Sequence, residues 1–202
     1  MTRTRDDDRR ERLSAATWTV LARDGVSGLT LRAVAAEAGC TTGLVLHAFA
    51  DKRALLLHAR ELLHSRGTSH ADALDDGTRG PADVLRLFLL RSVDAGPGED
   101  DGTDRNEDAR VWLGFLAASL SDPVLAERHR QGNHAFLGRC AALIGRALPE
   151  LGERECEERA LALSATVEGL NTLSTADPDR YDRRVRRSAV DGAIRTALAP
   201  RP

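Results

Sequence analysis

Aromatic side chains make up only 3% of the sequence, so its core has to be built from Leu, Ala and Val. Alternating runs of β-branched residues are absent too, which removes the usual signal of a half-buried strand. Ala, Leu, Arg and Glu dominate instead, and all four are good helix formers. With 42% hydrophobic and 30% charged residues over 202 positions, the chain reads as globular and all-α. That length suits one large domain, or a small domain joined to a larger one.

Other absences narrow the function. No apolar run approaches the roughly 20 residues of a membrane span. The start, MTRTRDDDRRERL, lacks the apolar stretch of a signal peptide, so a cytoplasmic chain with no membrane partner is expected. Cys40, Cys140 and Cys156 are far apart, odd in number and form no CxxC, which predicts reduced, packed thiols. GxSxG, P-loop, HExxH and GxGxxG signatures are missing, so neither an enzyme nor a cofactor is expected. His58, Glu61 and His64 recur at i, i+3 and i+6, but that series drifts around a helix and predicts solvated groups rather than a metal site. Lys52 is the single lysine, a bias that GC-rich coding explains without function.

What is present is asymmetric. The net charge is -2. Residues 1–60 nevertheless hold 10 basic and 7 acidic side chains, against 19 and 24 in the rest. A mildly basic N-terminal part on an acidic remainder suggests that one part faces an anion. Arg3, Arg5, Arg9 and Arg10 are interrupted by Asp6, Asp7 and Asp8, so the terminus itself reads as solvated and frayed.

Periodicity predicts a first helix over 9–23, with Leu13, Ala16, Val20 and Leu21 inward and Gly25 as its stop. Thr30 is a good N-cap for a short helix over 31–38, and Gly39 suits its left-handed end. Thr41 or Thr42 then caps a second short helix, 42–48, with Val45 and Phe49 inward. Asp51 caps a fourth helix. Two short helices joined by a tight turn containing Gly form the helix-turn-helix pattern. Residues 65–81 read as a polar connection, 96–108 as an acidic Gly-rich loop. Helices follow at 82–95, 109–120, 123–147, 153–173 and 179–198, with Pro123 and Pro178 in first turns.

The stretch LARDGVSGLTLRAVAAEAGCTTGLVLHAFADKRALL resembles the DNA-binding domain of the TetR family of transcriptional regulators over about residues 9–63. Farther on, VWLGFLAASLSDPVLAERHRQ and ALALSATVEGLNTL are similar to the C-terminal domain of the choline-responsive repressor group. The resemblance implies a helix-turn-helix domain at 1–50 and a connecting fourth helix at 51–66. Residues 67–202 would form a larger helical domain for ligand binding and dimerisation. One residue departs from the pattern: Leu46 stands where the family usually has a tyrosine.

A recognition helix lies in the major groove with its N-terminal residues at the base edges. At about 100° per residue, Thr41, Thr42, Gly43, Leu46 and His47 face outward, with Leu44 at the margin. Threonine hydroxyls can bond bases or phosphates, and Gly43 permits close approach. The family pattern assigns phosphate contacts to Thr30 and Lys52, and Arg32 suits the same role.

The resemblance further implies a homodimer paired through its last two helices, a palindromic double-stranded operator and release by an unknown small-molecule inducer. Leu161, Ala165, Glu168, Gly169 and Thr172 would permit close helix contact, with Val185, Ala189, Ile194 and Leu198 as an apolar stripe. Phe88, Trp112, Phe115, Leu116, His134, Phe136 and Leu137 are candidates to line a ligand pocket, and equally ordinary core. The competing reading is a helical ligand-binding protein whose helix-turn-helix no longer binds DNA, motivated by Leu46 and the low basicity.

Overall fold

Three local devices at the N-terminal end shape the helix-turn-helix. The computed structural model describes the backbone of residues 5–93 and 106–200. Helix α1 (Arg5–Gly28) breaks at Gly25, whose φ of 68° only glycine adopts without strain, and one further helical turn follows. Its helical backbone takes in residues 5–8, a stretch expected to fray, and Asp7 and Asp8 suit the positive end of a helix. Helix α2 (Leu31–Glu37) starts at Thr30, whose hydroxyl accepts from Ala33 N at 3.1 Å. It ends at Gly39 (φ 61°), where Gly39 N donates to Ala36 O and Cys40 N to Ala35 O. That pair of bonds is the Schellman closure that a left-handed glycine makes possible. Helix α3 (Thr42–Ala48) is capped by Thr41, which accepts from Leu44 N at 3.3 Å.

Helix α4 (Lys52–Leu74) begins after Asp51, whose carboxylate accepts from Ala54 N at 2.8 Å. It continues well past residue 66, through most of the stretch expected as a polar connection. Ala71 is buried, Leu74 packs beside it, Asp72 pairs with Arg139, and Asp75 holds Arg146 through two bonds of 2.6 and 3.0 Å. Tertiary contacts thus extend a helix that its own polar sequence does not announce.

The remaining helices are α5 (Pro81–Ser92), α6 (Asn106–Ser119), α7 (Pro123–Ala147), α8 (Glu153–Ala176) and α9 (Arg183–Ala197). Helix α5 ends three residues earlier than expected, and most of the acidic loop lies outside the described residues. Pro178 sits in a turn rather than opening α9. Asp182 caps that helix instead, accepting from Val185 N at 2.8 Å. All regular structure among the described residues is α-helical, and none of these helices is long and apolar enough to cross a membrane.

The chain packs into two compact units. The first comprises Met1–Arg66 and Arg110–His129, the second Gly67–Ala109 and Arg130–Pro202. In the first, Leu13, Val20, Leu21, Val34, Val45 and Leu55 share one apolar core with Val111, Phe115 and Leu125. Fully burying each such side chain contributes roughly 1.5–3 kcal/mol. In the second, α5 supplies Leu85 and Leu89, α7 Leu143 and Ile144, and α8 Leu163. Arg86 of α5 grips Asp191 of α9 through bonds of 2.8 and 3.0 Å. Arg159 of α8 donates to Ala197 O and Ala199 O, satisfying carbonyls at the end of α9. Cys140 and Cys156 are buried free thiols, and burial pushes the Cys140 thiol up to about 12, which keeps it protonated.

Candidate nucleic-acid interface

Helix α3 has one buried face and one bare face. Val45 is fully buried and Phe49 nearly so, while Leu44 lies at the margin against the same core. Thr41, Thr42, Gly43, Leu46 and His47 are all exposed. Leu46 leaves 46% of its surface open. Thr30 and Arg32 at the start of α2 and Lys52 at the start of α4 are exposed as well.

The caps do not use up the threonines. In each, the hydroxyl oxygen accepts from its own helix, at Ala33 N for Thr30 and at Leu44 N for Thr41. The O–H proton and a second lone pair stay available to an outside acceptor or donor. One side chain can therefore both start a helix and hold a phosphate or base. Asp51 differs: its carboxylate has no proton to offer a phosphate, so capping α4 accounts for it.

The frame of the turn is braced from α1. Arg12 donates to Ala38 O at 3.1 Å, and Arg23 pairs with Glu37 at 2.9 Å, so both ends of α1 hold the end of α2. Neither arginine stood out in the sequence, because a partner 26 or 14 residues away leaves no periodic mark. His58, expected to be solvated, is half-buried. It shares a hydrogen bond of 3.0 Å with Ser14 and packs against the Phe49 ring at 4.9 Å. Burial first, then the charge of Arg10, lowers its affinity for a proton. Glu61 pairs with Arg128 of α7.

The residues proposed for a pocket divide between the units. Phe115 is core of the first unit, Leu116 is half-buried, and Trp112 stacks near His129 with ring centroids 5.5 Å apart. Phe88 and Phe136 meet in the second unit at 5.0 Å, with Leu137 packed on the same cluster. His134 is exposed. Two buried groups are not among the candidate residues read from the sequence, Arg60 and His129, each 6% exposed. Arg60 follows Leu56 by four and precedes Leu63 by three, so a charge on an apolar stripe was the available signal.

Residues 13–59 match the family described as bacterial regulatory proteins, tetR family. Residues 81–199 match the family described as BetI-type transcriptional repressor, C-terminal. The HTH-type transcriptional regulator BetI of Stenotrophomonas maltophilia is 34% identical over 167 residues, covering 80% of this chain and 79% of that protein. Among solved structures, a transcriptional regulator from Rhodococcus sp. Rha1 aligns with a TM-score of 0.77 at 29% identity, covering 93% of this chain and 95% of that one. A regulator from Saccharomonospora viridis, solved in complex with choline, shares the fold at a TM-score of 0.75 and 20% identity, covering 93% and 95%. With a helix-turn-helix head that presents a bare α3 and a C-terminal part of BetI type, this chain belongs to the TetR family and is a transcriptional regulator rather than an enzyme.

Proposed function

We propose that the protein is a homodimeric repressor that binds a palindromic operator in double-stranded DNA and leaves it when a small molecule binds. The observation that carries this is the division of α3 into a buried Val45–Phe49 side and an exposed side of small, hydroxylic and imidazole groups. Thr41, Thr42, Gly43, Leu46 and His47 meet base edges, and Leu46 offers apolar contact to a thymine methyl. Thr30, Arg32 and Lys52 hold phosphates on either side and set register. A DNA reader of this bacterial family works in the cytoplasm.

Dimerisation through α8 and α9 is supported by the outer side of α8. Leu161 is 60% and Leu173 42% exposed, and Ala165 and Thr172 lie open between them. Such an apolar, small-residue stripe suits a close helix pairing between two copies. A two-fold dimer then presents two α3 helices to half-sites about one DNA turn or a multiple apart. The ligand acts by its differential affinity for the dimer that fits the operator and the one that does not. Phe88, Phe136 and Leu137 are the apolar candidates in the second unit, with Trp112, Phe115, Leu116 and His134 the remaining ones. The choline bound by the Saccharomonospora regulator makes a quaternary ammonium the first ligand to try.

The test is binding of the purified protein to the DNA flanking its own gene, at stated salt and with excess competitor. Protection of a palindrome, lost steeply as salt rises, is the expected result. A folded dimer that selects no sequence from that DNA or from a random pool would instead favour a ligand-binding protein with a silent head.

A further inference from the structure

Arg60 of α4 is the anomaly of the first unit. It is 6% exposed, and its Nε is buried without a hydrogen-bond partner. Beside it on the same helix, Leu56 and Ala59 belong to the apolar core. A guanidinium cannot escape by losing its proton. The formal charge that bears on it is another cation, Arg128 of α7, and Arg128 pairs with Glu61.

His129, next along α7, repeats the pattern. It too is 6% exposed, and both ring nitrogens are buried without partners. A neutral imidazole carries one donor and one acceptor, so neither is satisfied by the described residues. Its ring lies against Trp112 of α6, tilted by 47°. Burial and then the charge of Arg60 hold His129 neutral. A buried cation without a counter-charge destabilises a fold, and an apolar side chain of similar length would fill the space at lower cost. Stability therefore does not account for Arg60, whereas an anion brought from outside does.

We infer that Arg60, His129 and Trp112 form a binding site for a small organic carboxylate. The guanidinium takes the carboxylate through its fork, which matches two oxygens at once. His129 donates its ring N–H to the same group, and the apolar body of the ligand lies on Trp112. A quaternary ammonium is repelled from this site by Arg60, so the ligand class differs from that of the choline-bound relative. This site rests on the ligand-responsive reading above only for what occupancy does to the operator. Arg60 is two turns from Lys52 on one helix, roughly 12 Å at 1.5 Å per residue, so a ligand there bears directly on the head.

The experiment uses the full-length protein without DNA, so failure of this site and failure of operator binding are read separately. Thermal unfolding and Trp fluorescence are followed with acetate, butyrate, benzoate and decanoate, and with choline, chloride and phosphate at matched ionic strength. At least one carboxylate is expected to raise the melting temperature saturably and change the fluorescence. Arg60→Met should weaken it roughly tenfold or more, and Arg60→Lys should weaken it too, since an ammonium lacks the fork. His129→Gln, which keeps a donor, should retain more affinity than His129→Leu, and this pair serves if Arg60→Met fails to fold. The inference is overturned if no carboxylate gives an Arg60-dependent shift, if chloride or phosphate alone gives it, or if Arg60→Met binds as the wild type does.

Discussion

Gly114 of α6 lies directly against Val26: a Cβ built on the glycine would stand 2.9 Å from Val26 Cγ2 and 3.3 Å from Val26 Cβ. Val26 reaches that position just after the break at Gly25. Gly114→Ala should gain about 1 kcal/mol of helix propensity and lose about 1–3 kcal/mol to overpacking, for a net loss of stability. Adding Val26→Ala should recover most of it. A chemical denaturation cycle over the four proteins measures the coupling, and a more stable Gly114→Ala would show the contact to be slack.

Thr42→Ala and His47→Ala should each cost about 1–3 kcal/mol of operator affinity if they read bases, with the fold intact. Thr41→Ala should lose on both counts, because its cap contributes about 1 kcal/mol of stability as well. Thr41→Asp keeps a cap acceptor for Leu44 N but has no proton to offer a phosphate, and so separates the two effects. Gel-shift titrations beside thermal melts distinguish a reader from a mere cap.

Lys52→Ala should weaken all sequences alike and flatten the slope of log affinity against log salt by about 1. Leu46→Tyr should steepen that slope if the restored hydroxyl reaches a phosphate, as the family pattern implies. A change confined to one base position of the operator would make Lys52 a base contact instead.

How much of this head was legible follows from how local its devices are. Thr30, Gly39, Thr41 and Asp51 act within a few residues of themselves, so propensity and turn chemistry found them, and Val45 and Phe49 followed from helical period. Distant partners left no such mark. The run of α4 to Leu74 depends on Arg139 and Arg146, some seventy residues on. Pro178 looked like a helix start, but Asp182 offers a better cap, which a single-position rule does not weigh. Burial of Arg60 and His129 is set by three helices together, and charge alone argued for the surface.

Leu161→Glu should shift the protein toward monomer and weaken operator binding by more than any single base contact does. A glutamate 60% open in the isolated chain costs that chain little, yet buries an unpaired charge in a helix pairing. Sedimentation over a concentration series reads the result. A dimer unaffected by the change would place the pairing elsewhere.

Stability should fall as pH drops below 6.5, the ordinary value for histidine. His58 and His129 both take up a proton less readily when folded, by burial first and then by the charges of Arg10 and Arg60. The unfolded chain therefore binds more protons below 6.5, and acid pulls the equilibrium toward it. Well above 6.5 neither state is protonated and the contribution vanishes. Melting curves from pH 5 to 8 should show this slope, and His58→Asn with His129→Gln should reduce it.

The core of the reading head includes Val111, Phe115 and Leu125, which are encoded past the midpoint of the chain. A ribosome adds roughly 5–20 residues each second, so the first four helices emerge seconds before these three side chains arrive to cover them. During that interval the nascent head exposes apolar surface and cannot be complete. A chain that stops before α7 lacks Leu125 and leaves that part of the core uncovered.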